Sequence, residues 1–576
     1  MKQRYRAVSR TVVRRCTPAL LAGALALAQQ AEAGQLTVGQ DQDTTISYAA
    51  TLSYGLGVRA NNAADELISP TKVTSTGQFV NINSDDGDRN FKKGSLINNR
   101  LSLLAEADLH HDNYGAFVRG SAFYDEAYHG NNDNTSPSTI NKFGQFNHFS
   151  DAASYYEGSR ARVLDAYLYG NFKFGEGKSL DLRAGNQVVA WGESLFFPGI
   201  SGAQGPADAT KANVPGVEVK DILLPVGQVS GQLSLSERWS LLGYYQYQYK
   251  PNELDAVGGY FSYSDLVGPG AAYALLRPGI FSPFGFAFPP ASPNILGNGF
   301  PFTGENKARN SGQWGMGTRF RVGNESELGL FYLRYHDKNP SVSVNFSPTP
   351  AMFQTMSFPA VMPTSYSVDY LEDIKLAGAS FTTRLGDTNV AGEVSYKQDV
   401  PMLVGTPLGA MTSRGDATQA QLSFIRSIGP TPIADSMSLL GEVVDVYVNR
   451  VKSLSVAALG GASFDQLAND ETTLRTRNAW GYQLGATLTY NNVFDGWDLD
   501  VPLTFGQLVK GVPAVAGSIG AYTGEGDMRL GIGANFKYLN NLQLGLSYNG
   551  FLGSPNPRLR PLADRDYWAL NAKYSF

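Results

Sequence analysis

The chain has a single cysteine, Cys16, in 576 residues, so neither a disulfide framework nor a cysteine zinc site can be assembled. Charge is scarce at 17%, and 31 Phe with 30 Tyr exclude a disordered chain, which could not bury so much apolar surface. Mean hydropathy is -0.20 and no apolar run is long enough for a spanning helix, which excludes a bundle of membrane helices. Enzyme signatures are also missing: there is no G-x-S-x-G elbow, no H-E-x-x-H and no P-loop. The five histidines (His110, His111, His129, His148, His336) fall in turns, loops or a strand end, so no catalytic residue, cofactor or resident metal is expected. With 63 glycines and many aromatics, one membrane class stays open, the β-barrel that hides its lipid face in alternate residues.

Residues 1–33 read as a cleaved secretory signal. Lys2, Arg4, Arg6, Arg10, Arg14 and Arg15 precede a short apolar core, Ala19 to Ala28, and Ala31-Glu32-Ala33 is a small-residue cleavage site. Removing it takes away Cys16 and leaves a chain more acidic than before, which argues against a nucleic-acid partner. The remainder, 34–576, is expected to be one barrel domain in the outer membrane of a Gram-negative bacterium, exported by the general secretory route. Its expected partners are outer-membrane lipid and lipopolysaccharide, the barrel-assembly machinery, and a periplasmic or inner-membrane transport protein.

Period-two alternation carries the fold. From Ile46 to Val58 every even residue is apolar, while Ser47, Ala49, Thr51, Ser53, Gly55, Gly57 and Arg59 are polar, small or charged. The same pattern recurs at 101–109, 482–490, 528–538, 542–548 and 568–576, and none of these six apolar faces carries a charge. Lys or Arg at mid-bilayer would cost about 2–4 kcal/mol, which accounts for so clean a separation. Short connections such as Gly323-Asn324-Glu325-Ser326 alternate with long ones, among them 60–95, 126–159, 192–225, 251–312 and 400–416. The expected fold is all-β: a transmembrane antiparallel up-and-down barrel of about eighteen strands (16–20), with short periplasmic turns and long extracellular loops. The final strand, with Trp568, Leu570, Tyr574 and Phe576 at alternate positions, looks like an assembly signal.

Several ordered segments are family-like: Asp85-Asp-Gly-Asp-Arg-Asn-Phe91, Asn113 to Asp125, Arg183 to Ser194, Pro206-Ala-Asp208, Pro215 to Lys220 and Leu224-Pro225. On these the chain resembles the proteobacterial outer-membrane family catalogued as domain of unknown function 1302, departing from it at Asn186. The resemblance covers essentially the whole chain after the signal. It implies a porin-like barrel and hints at lipid or hydrophobe transport.

Arg100, Glu106, Asp108, Arg119, Asp125, Asp165, Asp181, Arg183, Arg319, Arg321, Arg384, Glu393 and Arg529 fall on expected inward faces. Facing rows of opposite sign either focus a field on a polar solute or brace the wall by pairing, and both readings are open. Residues 251–312 hold eight prolines and ten aromatics against seven charges. This loop, with Phe281, Phe284, Phe286 and Phe288, is either a gate that binds apolar solutes or a rigid cap; Trp191, Glu193 and Phe196-Phe197 open a second loop of similar character. Asp85, Asp86 and Asp88 with Asn81 and Asn83 make an acidic cluster. Clustered oxygens suit a hard cation such as Ca²⁺, but an EF-hand register would put Ile82 first and Lys93 last, so a hydrogen-bonded turn beside Arg89, Lys92 and Lys93 is expected ahead of a metal site. The function expected is a porin-like channel or facilitator for small hydrophobic or amphipathic molecules. The alternatives are the outer-membrane partner of an inner-membrane lipid transport system, or a surface protein that the barrel merely anchors.

Overall fold

In the computed structural model, which describes residues 34–38, 43–68, 82–275, 299–348, 361–470, 472–539 and 541–576, eighteen antiparallel strands close into a barrel. They are β1 (Thr44–Arg59), β2 (Leu96–His111), β3 (Tyr114–Asp125), β4 (Ser159–Lys173), β5 (Ser179–Gln187), β6 (Val226–Ser236), β7 (Trp239–Gln246), β8 (Gln313–Val322) and β9 (Ser326–Tyr335). The second half comprises β10 (Ile374–Leu385), β11 (Thr388–Thr406), β12 (Gly409–Ile428), β13 (Ser436–Val451), β14 (Asn478–Phe494), β15 (Trp497–Lys510), β16 (Met528–Tyr538), β17 (Leu542–Leu552) and β18 (Tyr567–Ser575). Each strand pairs with the next, and β18 closes on β1 from Thr51↔Ser575 to Arg59↔Tyr567. Below that seam a short strand, Gly34–Val38, takes up the rest of the same edge of β1, with Gly34 opposite Tyr48. Phe576 completes the closure through two backbone hydrogen bonds to Ala50, of 2.7 and 2.9 Å.

Alternation sorts the side chains as the sequence pattern requires. Leu168, Leu330, Met316, Leu422, Val394, Ile532, Leu546, Trp568 and Leu570 stand exposed on the outer wall. A continuous apolar belt of this kind is unfavourable in water and is what a bilayer requires. Opposite residues in an antiparallel ladder share a face, so the register Gly55↔Arg100↔Asp125 puts these positions together on the inner wall.

One expected loop is a strand pair instead. Residues 400–416 continue β11 and β12 beyond the belt as a hairpin, paired from Val400↔Gly415 to Thr406↔Gly409. A bulge at Lys397/Val400, where Asp399 turns through φ +67°, re-aims the strand. The apolar Val400-Pro-Met-Leu-Val404 run then packs inward, with Val400, Met402 and Val404 buried. Outer segments 299–306 and 361–369 form a parallel pair, extended by 341–348 and 273–275 into a small sheet above the barrel.

Candidate functional site: a segment laid across the lumen

The connection from β5 to β6, residues 188–225, turns into the barrel. Trp191 is buried against two inward aromatics, Tyr244 of β7 (5.0 Å between rings) and Phe331 of β9 (5.8 Å). Ile200 and Ala203 join the same core with Leu333, Leu376 and Met402. Two wall carboxylates then grip the main chain. Glu393 of β11 accepts the N–H groups of Glu193 (2.9 Å) and Ile200 (2.8 Å). Glu442 of β13 accepts those of Leu195 (3.3 Å), Phe196 (2.6 Å) and Phe197 (2.9 Å). Between them on β12, Gln421 and Gln419 donate to the carbonyls of Phe197 (3.1 Å) and Pro198 (3.0 Å). Hydrogen bonds to ionised acceptors in a dry site are the strong kind, so five donors on two carboxylates make a firm latch. Residues 514–522 also dip inward: Ser518 offers its carbonyl to Gln419, and Ile519 and Tyr522 pack beside Phe197.

The same segment reaches the seam on the other wall. Buried Asp208 faces Arg160 (3.5 Å) and Arg162 of β4, which also hold Glu253. Tyr567 of β18 donates to the carbonyl of Asn213 (3.2 Å), and Glu218 pairs with Lys573 of β18. A Cβ at Gly55 of β1 would lie 3.2 Å from the Pro215 carbonyl, so glycine there permits this close approach. Residues 188–225 thus run from β11–β13 to β18–β1 through the lumen. Beside their far end lies a cavity of about 50 Å³. Phe123, Val214, Pro215 and Val217 supply apolar lining, Arg100, Lys211, Lys220 and Lys573 its cations, and Glu218 and Asp221 its carboxylates. Arg100 lies over the Phe123 ring at 3.5 Å. Lys211 is 4% exposed and has no ion-pair partner among the described residues.

The charged wall divides into braces and exposed groups. Arg119 pairs with Asp165 (2.5 Å), Arg319 with Glu327 (3.5 Å), and Arg529 with Asp527 (2.9 Å) while covering Phe551. Asp125 is fully buried and accepts from Asn98 Nδ2 and the backbone of Asn99 and Ala127, which makes it part of the wall's framework. Asp108 accepts the Tyr169 hydroxyl (2.8 Å) and Asp181 the Asn171 amide. Glu106 lies opposite Arg119 in the ladder, and Arg183 reaches over Tyr167. Arg321 is exposed, and Arg384 at the turn end lies 3.9 Å from Asp387. Arg319–Glu327 and Arg384–Asp387 lie at the short turns, whereas Arg529–Asp527 and the Arg160–Arg162 cluster lie at the end nearer the long loops, which the inward segments fill.

Of the expected gate residues, Trp191 and Glu193 belong to the crossing segment. Phe281, Phe284, Phe286 and Phe288 lie outside the described residues, as do residues 1–33 and Asn81. The described part of 251–312 packs as a cap: Tyr260 and Phe261 stack among Phe91, Tyr128, Phe551 and Tyr567. Trp568 and Leu570 face outward, and Tyr574 lies opposite Leu52 in the seam. The acidic cluster is split. Arg89 holds Asp85, and Lys92 holds Asp133 (3.2 Å), whereas Asp88 turns away to the buried cations Arg59 (2.8 Å) and Arg565 (2.9 Å). Glu442, Gln419, Gln421 and Lys211 were not singled out from sequence. Each partners main chain or a cavity wall far away in the chain, a relation that leaves no local spacing to read. The faint signal was that Trp191 to Ser194, Pro206-Ala-Asp208 and Pro215 to Lys220, quoted above as family-like, all lie on the crossing segment.

Solved structures of similar architecture include OccAB1 of Acinetobacter baumannii, at 9% identity and a TM-score of 0.42, with 94% of this chain and 98% of that one covered. OccD3 (OpdP) of Pseudomonas aeruginosa aligns at 10% identity and a TM-score of 0.40, covering 94% and 93%. OpdK of the same organism, solved with vanillate, aligns at 9% and 0.38, covering 92% and 98%. No curated protein sequence matches the chain. The sequence profile of the proteins of unknown function DUF1302 matches residues 15–576, and the chain belongs to that family.

Proposed function

We propose that this protein is an outer-membrane channel for small amphipathic molecules, with residues 188–225 as its gate. The observation that carries the reading is the crossing segment itself, latched at one wall by Glu393 and Glu442 and at the other by Asp208 and Glu218. A barrel serving only as an anchor needs no such path through its lumen, whereas a regulated pore needs a movable constriction. At about 50 Å³ the cavity beside it is too small to hold a whole solute while the segment is latched, and its mixed apolar and charged lining would meet an amphipathic solute as the segment moves. Phe123 and Val214 offer surface, and Arg100 and the unpaired Lys211 offer charge. The exposed charges nearer the short turns keep the remainder of the path wet.

The test is single-channel conductance of the refolded protein in a planar bilayer, with small aromatic and aliphatic acids added. Openings that such acids block, with block weakened in Lys211→Met, support the reading. Folded protein that stays silent in every variant of the latch overturns it.

A further inference from the structure

Outside the barrel, three carboxylates from two remote parts of the chain meet in the dry interior of the loops. Asp85 and Asp86 come from the β1–β2 connection and Asp265 from the β7–β8 connection, and each offers an oxygen within 4.8 Å of the others. Their exposures are 1%, 0% and 0%. One oxygen of each is accounted for. Asp85 Oδ2 accepts from Arg89, Asp86 Oδ2 from the Asn141 N–H (3.1 Å), and Asp265 Oδ2 from the Asp86 N–H (3.2 Å). The other three, Asp85 Oδ1, Asp86 Oδ1 and Asp265 Oδ1, are buried with no hydrogen-bond partner among the described residues.

Among the described residues, nearby cations do not fill the gap. Arg89 is divided between Asp85 and the Ile68 carbonyl, and Lys142 donates to the carbonyls of Gln145 (2.6 Å) and His148 (2.7 Å). Arg59 and Arg565 are taken by Asp88 and Asp564. Gly87 lets the two loops close to this distance, since a Cβ there would lie 2.5 Å from the Gly259 carbonyl and 2.7 Å from that of Ser262. Three carboxyl groups so placed either hold protons or share a cation.

The geometry points to a divalent-cation site, suited to Ca²⁺, formed by Asp85, Asp86 and Asp265 and clamping the first outer loop to the β7–β8 cap. Hard cations take oxygen donors, and calcium's tolerance of irregular geometry and of water in its shell fits a three-carboxylate corner. Sites of 10⁻⁴–10⁻³ M affinity suffice outside the cell. Asn141, whose side chain donates to Asn83 (2.7 Å) and to the Tyr273 carbonyl (2.9 Å), ties the β3–β4 loop to the same corner.

The experiment uses the full-length folded barrel in detergent, free of lipopolysaccharide and dialysed against EGTA. CaCl₂ alone is titrated by calorimetry, and limited proteolysis follows cleavage within 251–275. One Ca²⁺ should bind per chain, Asp265→Asn should weaken it by about tenfold or more, and calcium should slow cleavage of 251–275 in the wild type. Absence of binding to folded wild-type protein means the carboxyls hold protons, and the inference falls. It also falls if calcium binds equally to a folded Asp265→Asn protein. Should that variant fail to fold, the wild-type titration and its protection of 251–275 decide alone.

Discussion

Replacing Glu442 by Gln tests the latch most directly, because the two side chains are nearly isosteric and only the charge and one acceptor change. The carboxylate takes four donors: Leu195 N–H and Gln421 Nε2 on Oε1, and Phe196 and Phe197 N–H on Oε2. Only the ionised group can accept from all of them. Hydrogen bonds to charged groups contribute roughly 1.5–3 kcal/mol each and neutral ones about 1. An amide placed with its oxygen toward Phe196 and Phe197 therefore loses about 1 kcal/mol on each. Its NH₂ then faces the Leu195 N–H, an unsatisfied donor costing a further 1–3 kcal/mol or so. The latch should weaken by about 3 kcal/mol or more, which shifts the ratio of held to released segment on the order of a hundredfold, since 1.4 kcal/mol is a factor of ten. Single-channel recording of Glu442→Gln should show openings far more frequent than in the wild type, with the barrel still heat-modifiable. If folded Glu442→Gln protein conducts as the wild type does, residues 193–200 do not limit passage and the gate must be sought elsewhere.

Other outcomes follow from the same geometry. In Gly199→Ala the added methyl would sit 1.5 Å from Glu393 Oε1 and 2.9 Å from Gln421 Nε2. Glu393 must then release the Glu193 and Ile200 N–H groups, and protease sensitivity of 188–225 should rise without loss of the barrel. At the outer end of β9, His336 accepts the Asp373 N–H at Nδ1 (3.1 Å) and meets the Ser311 carbonyl through Nε2 (2.9 Å), which requires the neutral ring. Burial lowers its pKa below the ordinary 6.5, opposed by Glu372 and assisted by Lys338 and Arg309. An unfolded ring takes up a proton below 6.5 that the folded one refuses, so its stabilising contribution holds above that pH and is lost as pH falls through it. Neighbouring Asp337, raised to about 6 by burial, acts in the opposite sense, so the measurement is the difference between wild type and His336→Gln. Protection of 361–369 against hydrogen exchange, taken relative to the intrinsic rate at each pH, should fall between pH 7.5 and 5.5 in the wild type more than in the variant. Phe576→Asp should reduce the heat-modifiable, outer-membrane fraction on immunoblots, and a normal amount of assembled protein would refute the assembly role of the C-terminal strand.

The barrel was legible because lipid enforces alternation residue by residue, so Ile46 to Val58 already show which side is which. Even weakly patterned stretches such as 226–236 form strands, since their neighbours on both sides fix the register. Loop behaviour was not legible in the same way. Residues 251–312 drew attention by composition, yet their described part is a cap, whereas 188–225, aromatic only at Trp191 and Phe196-Phe197, cross the lumen. Burial of that segment depends on Glu393 and Glu442, some two hundred residues away, and no period in the sequence connects them. Asp85 and Asp86 were visible as a pair, but their partner Asp265 arrives from another loop, while Asp88, beside them in sequence, leaves for Arg59 and Arg565. The run 400–416 lacks the alternation that marks the other strands, yet the bulge at Asp399 and pairing from Val400↔Gly415 to Thr406↔Gly409 carry the ladder onward.

Both latch carboxylates hold N–H groups and no side chains of the crossing segment. The wall thus senses the path of the chain at Glu193 and Leu195, whereas Phe196, Phe197 and Ile200 are held by their side chains as well. Glu193 and Leu195 can vary while the fastening persists, but Gly199 must stay without a Cβ beside Glu393. Proline at any of the five donor positions would undo it by removing the hydrogen, and so would a one-residue insertion or deletion between 193 and 200, which would move every donor out of reach. Drift in spelling at 193 and 195 with rigid spacing and a fixed Gly199 is the signature this predicts when related chains are compared.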